Sequence, residues 1–174
     1  MRIIELTGLL ILLFLSGSCT QKSLQKYLVE KQDDDHFMKF DIPGSMLRDD
    51  NMEYSAEEQE AVQSIRKINI VAFPLKNDTI AYQTEKQELT SILNQNRYKE
   101  LTHFTSNSFH ATLKYTGDED AIEEIIVFIS EDSKGFAVLR LLGKNLKPQH
   151  LNTLIQNQGK WDFTGFPGLE FFRE

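Results

Sequence analysis

Cysteine is nearly missing from this sequence: Cys19 is the single one, so an internal disulfide is excluded and the fold must be held by packing. An excess of basic residues is also missing, because 19 Lys and Arg stand against 26 Asp and Glu, a net charge of −7. That balance argues against nucleic-acid binding, which needs a basic face to displace counterions from phosphates. No apolar run approaches the roughly 20 residues of a membrane-spanning helix, which excludes a polytopic membrane protein. The 174 residues, 40% of them hydrophobic, suit one globular domain.

The longest apolar run that is present lies over residues 6–15 and follows the basic residue Arg2. The run is too short to span a bilayer core about 30 Å thick, but it fits the apolar stretch of an export signal. We therefore predict a signal peptide over residues 1–18.

The three small residues 16–18 directly precede Cys19. Small residues let the backbone enter a peptidase cleft, and the thiol that follows is the nucleophile that takes diacylglycerol. This arrangement resembles the lipobox of bacterial lipoproteins, although Ser16 occupies the place where Leu is usual. It predicts a lipidated Cys19 and a short tether over residues 19–23. The alternatives are an ordinary secretory signal that ends near a cysteine, or an uncleaved N-terminal anchor.

The residues after Cys19 bear on the location of the protein. Lipoproteins bound for the cell surface of some bacteria carry acidic residues there, and residues 20–23 have none. This favours a lipid-anchored protein of the cell envelope, on the outer membrane and facing the periplasm.

Helical patterns occur at four places between residues 24 and 159, which we predict to form one domain. Ser55 followed by Glu58 is a capping box, which marks the start of a helix. Apolar spacing of three and four residues indicates the other helices. The predicted helices are a short one around residues 24–28, one from Ser55 to about Ile68, one capped by Thr84 with Gln87, and one from Pro148 to Gly159.

Strand patterns alternate with these helices. Residues 109–115 have apolar and polar side chains in strict alternation, the signature of a half-buried antiparallel strand. Two β-rich runs follow, over 125–129 and 136–142, with turns at 116–118 and 131–135, and earlier strands are predicted over 37–42 and 68–73. The loops are too short for crossovers. The prediction is an α+β fold, in which a three-strand C-terminal meander plus two earlier strands form an antiparallel sheet with helices packed on one face.

Several short segments, together with the order of these elements, carry a resemblance to a known family. They are Cys19, Met38-Lys-Phe-Asp-Ile-Pro, Ile65-Arg-Lys-Ile-Asn-Ile-Val, Tyr98-Lys-Glu-Leu101, Ile122-Glu-Glu-Ile-Ile and Leu139-Arg-Leu-Leu-Gly143. They resemble an uncharacterised family of Bacteroidetes lipoproteins catalogued as domain of unknown function 4252. The resemblance covers roughly residues 24–155, and members of the family often look like companions of envelope sigma-factor systems. The family has no known catalytic residues, so the resemblance transfers none.

No catalytic, cofactor or metal motif stands out. The sequence has no GxSxG elbow, no Walker loop and no HExxH pair, and the four histidines are expected to face solvent or to support other side chains. The acidic residues of 118–124 and 33–36 lack the spacing of a calcium loop and are interpreted as solvated turns. We predict no catalytic residue, no cofactor and no metal ligand. Since triads assemble from distant residues, a hydrolase stays open as the alternative.

Two further segments are candidate sites. Asp78-Thr79-Ile80 resembles the O-glycosylation pattern of exported Bacteroidetes proteins, and we expect Thr79 in a polar loop. The tail over residues 160–174 holds five of the chain's eighteen aromatic residues, and aromatic side chains dominate binding hot spots. These rings either dock on a partner or the membrane, or fold back to cover the sheet. The candidate partner-binding residues are Trp161, Phe163, Phe166, Phe171 and Phe172.

Together these patterns predict a non-enzymatic, lipid-anchored envelope protein. It would bind a protein or ligand in the periplasm as an accessory or signalling component. The expected partners are the membrane, through the lipid, and an envelope protein, with no nucleic acid.

Overall fold

The computed structural model describes residues 21–48, 53–76, 78–106 and 109–150, together with Thr153. The predicted signal peptide, Cys19 and the aromatic tail over residues 160–174 lie outside these residues, as does most of the predicted last helix. Pro148 to His150 are helical, as expected for the start of that helix.

The described chain contains three α-helices, one short 3-10 helix and six strands, followed by the helical residues at 148–150. None of the described helices is long and apolar enough to cross a membrane. In chain order they are α1 (Leu24–Glu30), β1 (Met38–Pro43), the 3-10 helix (Gly44–Leu47), α2 (Ala56–Ser64), β2 (Ile65–Pro74), α3 (Thr79–Leu93), β3 (Lys99–Thr105), β4 (Phe109–Asp118), β5 (Ala121–Glu131) and β6 (Gly135–Leu146).

The six strands form one antiparallel sheet in the order β1-β2-β6-β5-β4-β3. The fold is α+β, as predicted, but the strand count was wrong. The C-terminal meander has four strands, because β3 precedes the three that the sequence indicated. Every residue of β3 is exposed, so this edge strand has no buried face and no apolar alternation to reveal it.

Helices pack on both faces of the sheet, and the prediction that they occupy one face was wrong. Val62 of α2 packs with Ile68 and Leu141 on one side, which we call the α2 face. Leu24 of α1 and Leu89 of α3 pack on the other, the α1–α3 face. The cause lies in the central strands: β2 is buried at seven consecutive residues, from Ile68 to Pro74, so both of its faces need cover.

The predicted N-terminal caps of α2 and α3 can be compared with those in the structure. The capping box of α2 is confirmed: the Glu58 amide donates to Ser55 Oγ at 3.2 Å, and the Ser55 amide donates to Glu58 Oε2 at 2.6 Å. The start of α3 lies earlier than predicted. Asp78 is its cap, since the Asp78 carboxylate accepts the Ala81 amide at 2.9 Å, whereas the hydroxyl of Thr84 donates to a carbonyl within the helix.

Two of the turns in the meander were predicted from the sequence, and one of them lies where it was expected. The turn between β5 and β6 lies where it was predicted, with Gly135 at φ 133° as the first residue of β6. The turn after β4 lies at Glu119 and Asp120, later than the predicted 116–118. Gly117 has φ 92° at a register shift inside β4, so it forms a bulge there instead of ending the strand.

Candidate functional site

A row of polar side chains crosses the α1–α3 face at one level of the sheet. Asp41 of β1 pairs in register with Asn69 of β2, and Asn69 pairs with Arg140 of β6. Asn69 and Arg140 are both buried. The Asn69 amide donates to one oxygen of Asp41, and Lys67 Nζ donates to the other at 2.8 Å. We call Asp41, Asn69, Arg140 and Glu124 the polar row.

Arg140 is the centre of the polar row. Its Nε donates to the carboxylate of Glu124 on β5, and its Nη1 donates to the side-chain oxygen of Gln25 on α1. The side chains of Arg140 and Glu124 are 8% and 11% exposed, so the pair is almost fully removed from water. A buried charge needs a partner and hydrogen bonds, and each of these two supplies them to the other.

The helix α1 is fixed above the polar row by contacts at its start and at Tyr27 in its middle. Ser23 caps it, because the Lys26 amide donates to Ser23 Oγ at 3.0 Å. The Leu24 amide donates to the hydroxyl of Tyr98 at 2.9 Å. The hydroxyl of Tyr27 donates to Glu85 of α3 at 2.9 Å. Burial, and then the charge of Glu85, raise the pKa of Tyr27, so this hydroxyl stays protonated and keeps its donor role.

Two open cavities flank α1, and Gln25 lines both of them. The first, of about 480 Å³, lies against the edge strand β1 and includes Lys39, Asp41, Lys67 and Asn69. The second, of about 470 Å³, includes Arg97, Lys99, Thr116, Asp118, Glu124 and Arg140. The contact between Gln25 and Arg140 therefore lies in the lining of the second cavity and is made by a side chain that also lines the first. Each cavity presents side chains of both charge signs together with hydrogen-bond donors and acceptors.

The carboxylate of Asp41 is the acidic group of the first cavity. Burial acts to raise its pKa, but the hydrogen bonds from Lys67 and Asn69 outweigh burial, so the net shift is downward. Asp41 therefore stays ionised at neutral pH. It offers a fixed negative charge to a ligand and is not a proton donor.

A second polar cluster lies at the end of α2. Ser64 Oγ lies 2.9 Å from Nδ1 of His150, and that nitrogen also accepts the Lys147 amide at 3.2 Å. Nε2 of His150 is buried, has no hydrogen-bond partner among the residues that the structure describes, and lies 3.9 Å from a carboxylate oxygen of Glu60. Burial is the main cause of the lowered pKa of His150, which the nearby Lys147 also lowers and Glu60 opposes.

Of the two roles expected for the histidines, facing solvent or supporting other side chains, His150 has the second: it is 3% exposed and lies against Ser64 at the end of α2. His36 and His103 do lie at the surface, and each has Nδ1 bonded to a carboxylate at 2.9 Å. Sequence reasoning missed the contact between Ser64 and His150 because 86 residues separate them. No local motif could have found it.

The acidic segment over residues 118–124 does not gather into one site. Its other carboxylates are exposed, whereas Glu124 turns inward to Arg140. In the part of the chain that the structure describes, no three potential ligands come together to hold a metal ion. Sequence reasoning treated Glu124 as a solvated residue and did not single out Arg140. The apolar residues near Glu124 in β5 and near Arg140 in β6 were the one feature of the sequence that indicated burial of these two side chains.

Of the sequence-predicted site residues, Thr79 is described and the others are not. Thr79 is exposed, but it is the first residue of α3 and not part of a loop, as had been expected. Ile80 beside it is 83% exposed, so the triplet 78–80 lies at the surface. Cys19 and the tail aromatics Trp161, Phe163, Phe166, Phe171 and Phe172 lie outside the described residues.

Comparison with known proteins gives one family. No curated protein and no solved structure matches this chain. Residues 27–154 match the family described as Domain of unknown function (DUF4252). The match covers well over half of the chain and contains all six strands and the whole polar row. The chain therefore belongs to the DUF4252 family.

Proposed function

We propose that this protein is a non-enzymatic binding or accessory component of the bacterial cell envelope. A lipid on Cys19 would anchor it to the outer membrane, with the domain facing the periplasm. The apolar run over residues 6–15, the small residues before Cys19 and the absence of acidic residues in 20–23 support this location.

The observation that carries the binding role is the first cavity and its position beside β1. This strand is at the edge of the sheet and pairs with β2 alone among the described strands. An edge strand offers unpaired backbone groups to another chain, and side-chain pockets next to it give specificity. The cavity supplies such a pocket, and its lining includes Lys67, Asp41 and Val29, which is 55% exposed. The ligand that fits is an extended segment of an envelope protein.

The surroundings of this cavity are preorganised. Lys39 Nζ donates to the carbonyls of residues 31, 32 and 34, at 3.2, 2.9 and 2.8 Å, so it ties the end of α1 to β1. Arg140 and Glu124 neutralise each other beneath α1. A site held in shape before its ligand arrives loses less conformational entropy on binding. These paired charges support a binding role better than they support proton transfer.

Site-specific photocrosslinking in native envelopes tests the binding role. A photoreactive residue at position 67, in the cavity, is compared with one at position 86 on α3, whose side chain pairs with Asp132 at 3.1 Å. We expect one protein to crosslink at position 67 and not at position 86. With that protein purified, Lys67→Glu should weaken its binding by roughly tenfold or more. Equal crosslinking at both positions, or at neither, would contradict the proposal.

Lipid attachment is tested separately, so that its failure does not affect the test of binding. Metabolic labelling with a clickable fatty acid should mark the wild-type protein, and Cys19→Ala should lose both the label and sedimentation with membranes. Label that persists in Cys19→Ala would show that the anchor is elsewhere.

A small envelope hydrolase is the second candidate, and the cluster of Ser64, His150 and Glu60 is the observation that favours it. A serine next to an imidazole, with a carboxylate on its far side, has the composition of a catalytic triad. The contacts also have a structural explanation, because the hydroxyl of Ser64 donates to the Ala61 carbonyl at 2.7 Å. A fluorophosphonate probe decides between the two: labelling that Ser64→Ala abolishes would establish the hydrolase, and an unlabelled native protein would contradict it.

Thr79 remains our candidate for O-glycosylation. It is exposed, and the carboxylate of Asp78 beside it is already engaged as the helix cap. The intact mass of the native protein should exceed the mass of the lipidated polypeptide by a sugar, and Thr79→Ala should remove that difference. A native mass equal to that of the unmodified lipoprotein would contradict this.

A further inference from the structure

The described helices cover only part of the α2 face. The nine residues of α2 extend for about 14 Å, at 1.5 Å per residue. Six strands spaced about 4.8 Å apart make a sheet roughly 24 Å wide, and its longer strands run for more than 30 Å. This helix, even together with the four-residue 3-10 helix whose Leu47 belongs to the same cluster, therefore cannot shield the face from end to end.

Burial along the strands shows where the cover of α2 ends. Tyr115, Ile125 and Leu141 are neighbours in register at the level of α2, and they are 5%, 0% and 0% exposed. Two residues further along the same strands, Leu113, Val127 and Leu139 are again neighbours in register on the same face. These three side chains, which we call the apolar row, are only partly buried. The face stays apolar where the cover by α2 stops.

The chain leaves the sheet on this same face. Leu146 at the end of β6 is buried in the cluster under α2. Lys147 then pairs with Glu60 of α2, and His150 is buried against Ser64 at the end of that helix. Residue 150 is thus fastened beside α2. The 24 residues that follow it include Leu151, Leu154 and Ile155 at helical spacing, and then the aromatic residues of the tail.

We propose that this C-terminal segment, residues 151–174, is the partner of the apolar row. The row needs an apolar covering. The segment starts beside α2 on the same face of the sheet, and its leucine, isoleucine and aromatic side chains are apolar like those of the row. Covering the apolar row removes its side chains from water. This stabilises the folded protein by about 25 cal/mol for each Å² of apolar area buried. The aromatic tail then completes the protein's own fold, and the cavities beside α1 are the surface left for a partner. This inference does not rest on the proposed function.

Trp161 is the chain's single tryptophan and reports directly on the segment. In the full-length protein, embedded in lipid nanodiscs, its emission should be blue-shifted and protected from acrylamide. Leu113→Lys places a charge in the apolar row and should shift the emission to the red and raise the quenching constant several-fold. Thr112→Lys is the matched control, because Thr112 is the neighbouring residue of β4, is also partly buried, and points to the opposite face.

A second measurement does not depend on the stability of Leu113→Lys. A photoreactive residue at position 127 should crosslink to peptides from residues 151–174 of the same molecule, and one at position 112 should not. Mixing isotopically heavy and light protein separates crosslinks within a chain from those between copies.

Three results would overturn the proposal. Quenching of Trp161 by brominated lipids would assign the tail to the membrane. Crosslinks between heavy and light copies would assign the row to a second molecule. Crosslinks from position 127 that never reach residues 151–174, with Trp161 fully accessible to acrylamide, would show that the segment does not cover the sheet.

Discussion

Glu124 and Arg140 lie on neighbouring strands, two residues out of direct register, and their side chains form a buried ion pair. Arg140 faces Ile126 in the sheet, whereas Glu124 faces Leu142. The guanidinium reaches along β5 to the carboxylate and upward to Gln25 of α1. One side chain thus joins two strands and the helix that follows the proposed tether.

We expect Glu124→Ala to be strongly destabilising, because it leaves the charge of Arg140 buried without its counterion. The expected loss in the free energy of unfolding is about 3–5 kcal/mol. Asp118→Ala is the control, since that carboxylate is 93% exposed and should change stability by less than about 0.5 kcal/mol. Urea denaturation measures both, and equal effects for the two variants would contradict a role for the buried pair.

We expect Gln25→Ala to loosen α1 without unfolding the sheet. It removes the contact between this helix and Arg140, made by a side chain that lines both cavities. Amide hydrogen exchange over residues 24–30 should become faster, while exchange in β6 stays unchanged. Lys26→Ala, on the exposed side of the same helix, should leave both regions as in the wild type. Unchanged exchange in α1 of Gln25→Ala would show that other contacts suffice to hold it.

The stability of the protein should depend on His150 in mildly acidic solution. Burial lowers the pKa of His150, so below pH about 6.5 the unfolded chain takes up a proton that the folded chain does not. The contribution to stability is therefore complete above that pH. It is lost progressively as the pH falls from there toward the lowered pKa of the folded state.

The measurement is urea denaturation between pH 8 and pH 5, compared with His150→Asn. The variant should lack this part of the pH dependence, while the other three histidines act alike in both proteins. Identical slopes for the two proteins would mean that His150 titrates at the same pH in the folded and unfolded states.

Gly135→Ala should be destabilising at the turn into β6. The backbone there has φ 133°, a region that side chains disfavour, and an added Cβ would lie 2.1 Å from the carbonyl oxygen of Phe73. Strain of this kind costs about 1–3 kcal/mol, and the clash adds to it. Ser133→Ala in the same turn is the control and should be nearly neutral. A thermal melt of Gly135→Ala that matches the control would contradict the prediction.

The elements that the sequence predicted are those whose information is local. The capping box of Ser55 and Glu58 lies within four residues, and the alternation in β4 lies within seven. β3 was missed because an exposed edge strand has no buried face. The early start of α3 was missed because Thr84 with Gln87 matched the capping-box spacing, and Asp78 was not considered as a cap. A local sequence pattern indicates buried faces and helix caps. It therefore predicts nothing for an element that has neither.

Local sequence patterns could not predict the candidate site. Asp41, Asn69 and Arg140 come from three strands that are far apart in the chain, and only pairing of β1 with β2 and of β2 with β6 aligns them. Each looks like an ordinary polar residue in the sequence. Their partnership depends on the register of the sheet, which is set by the packing of both faces.

By itself, the sequence determined the α+β class, the absence of internal disulfides and most of the individual helices and strands, because composition and short-range periodicity fix these. The tertiary structure decided that both faces of the sheet are covered, that Arg140 and Glu124 are buried together, and that Ser64 meets His150. The physical reason is the range of the interactions. Periodicity and capping act over a few residues, whereas strand order and the pairing of buried charges are chosen by the free energy of the whole core.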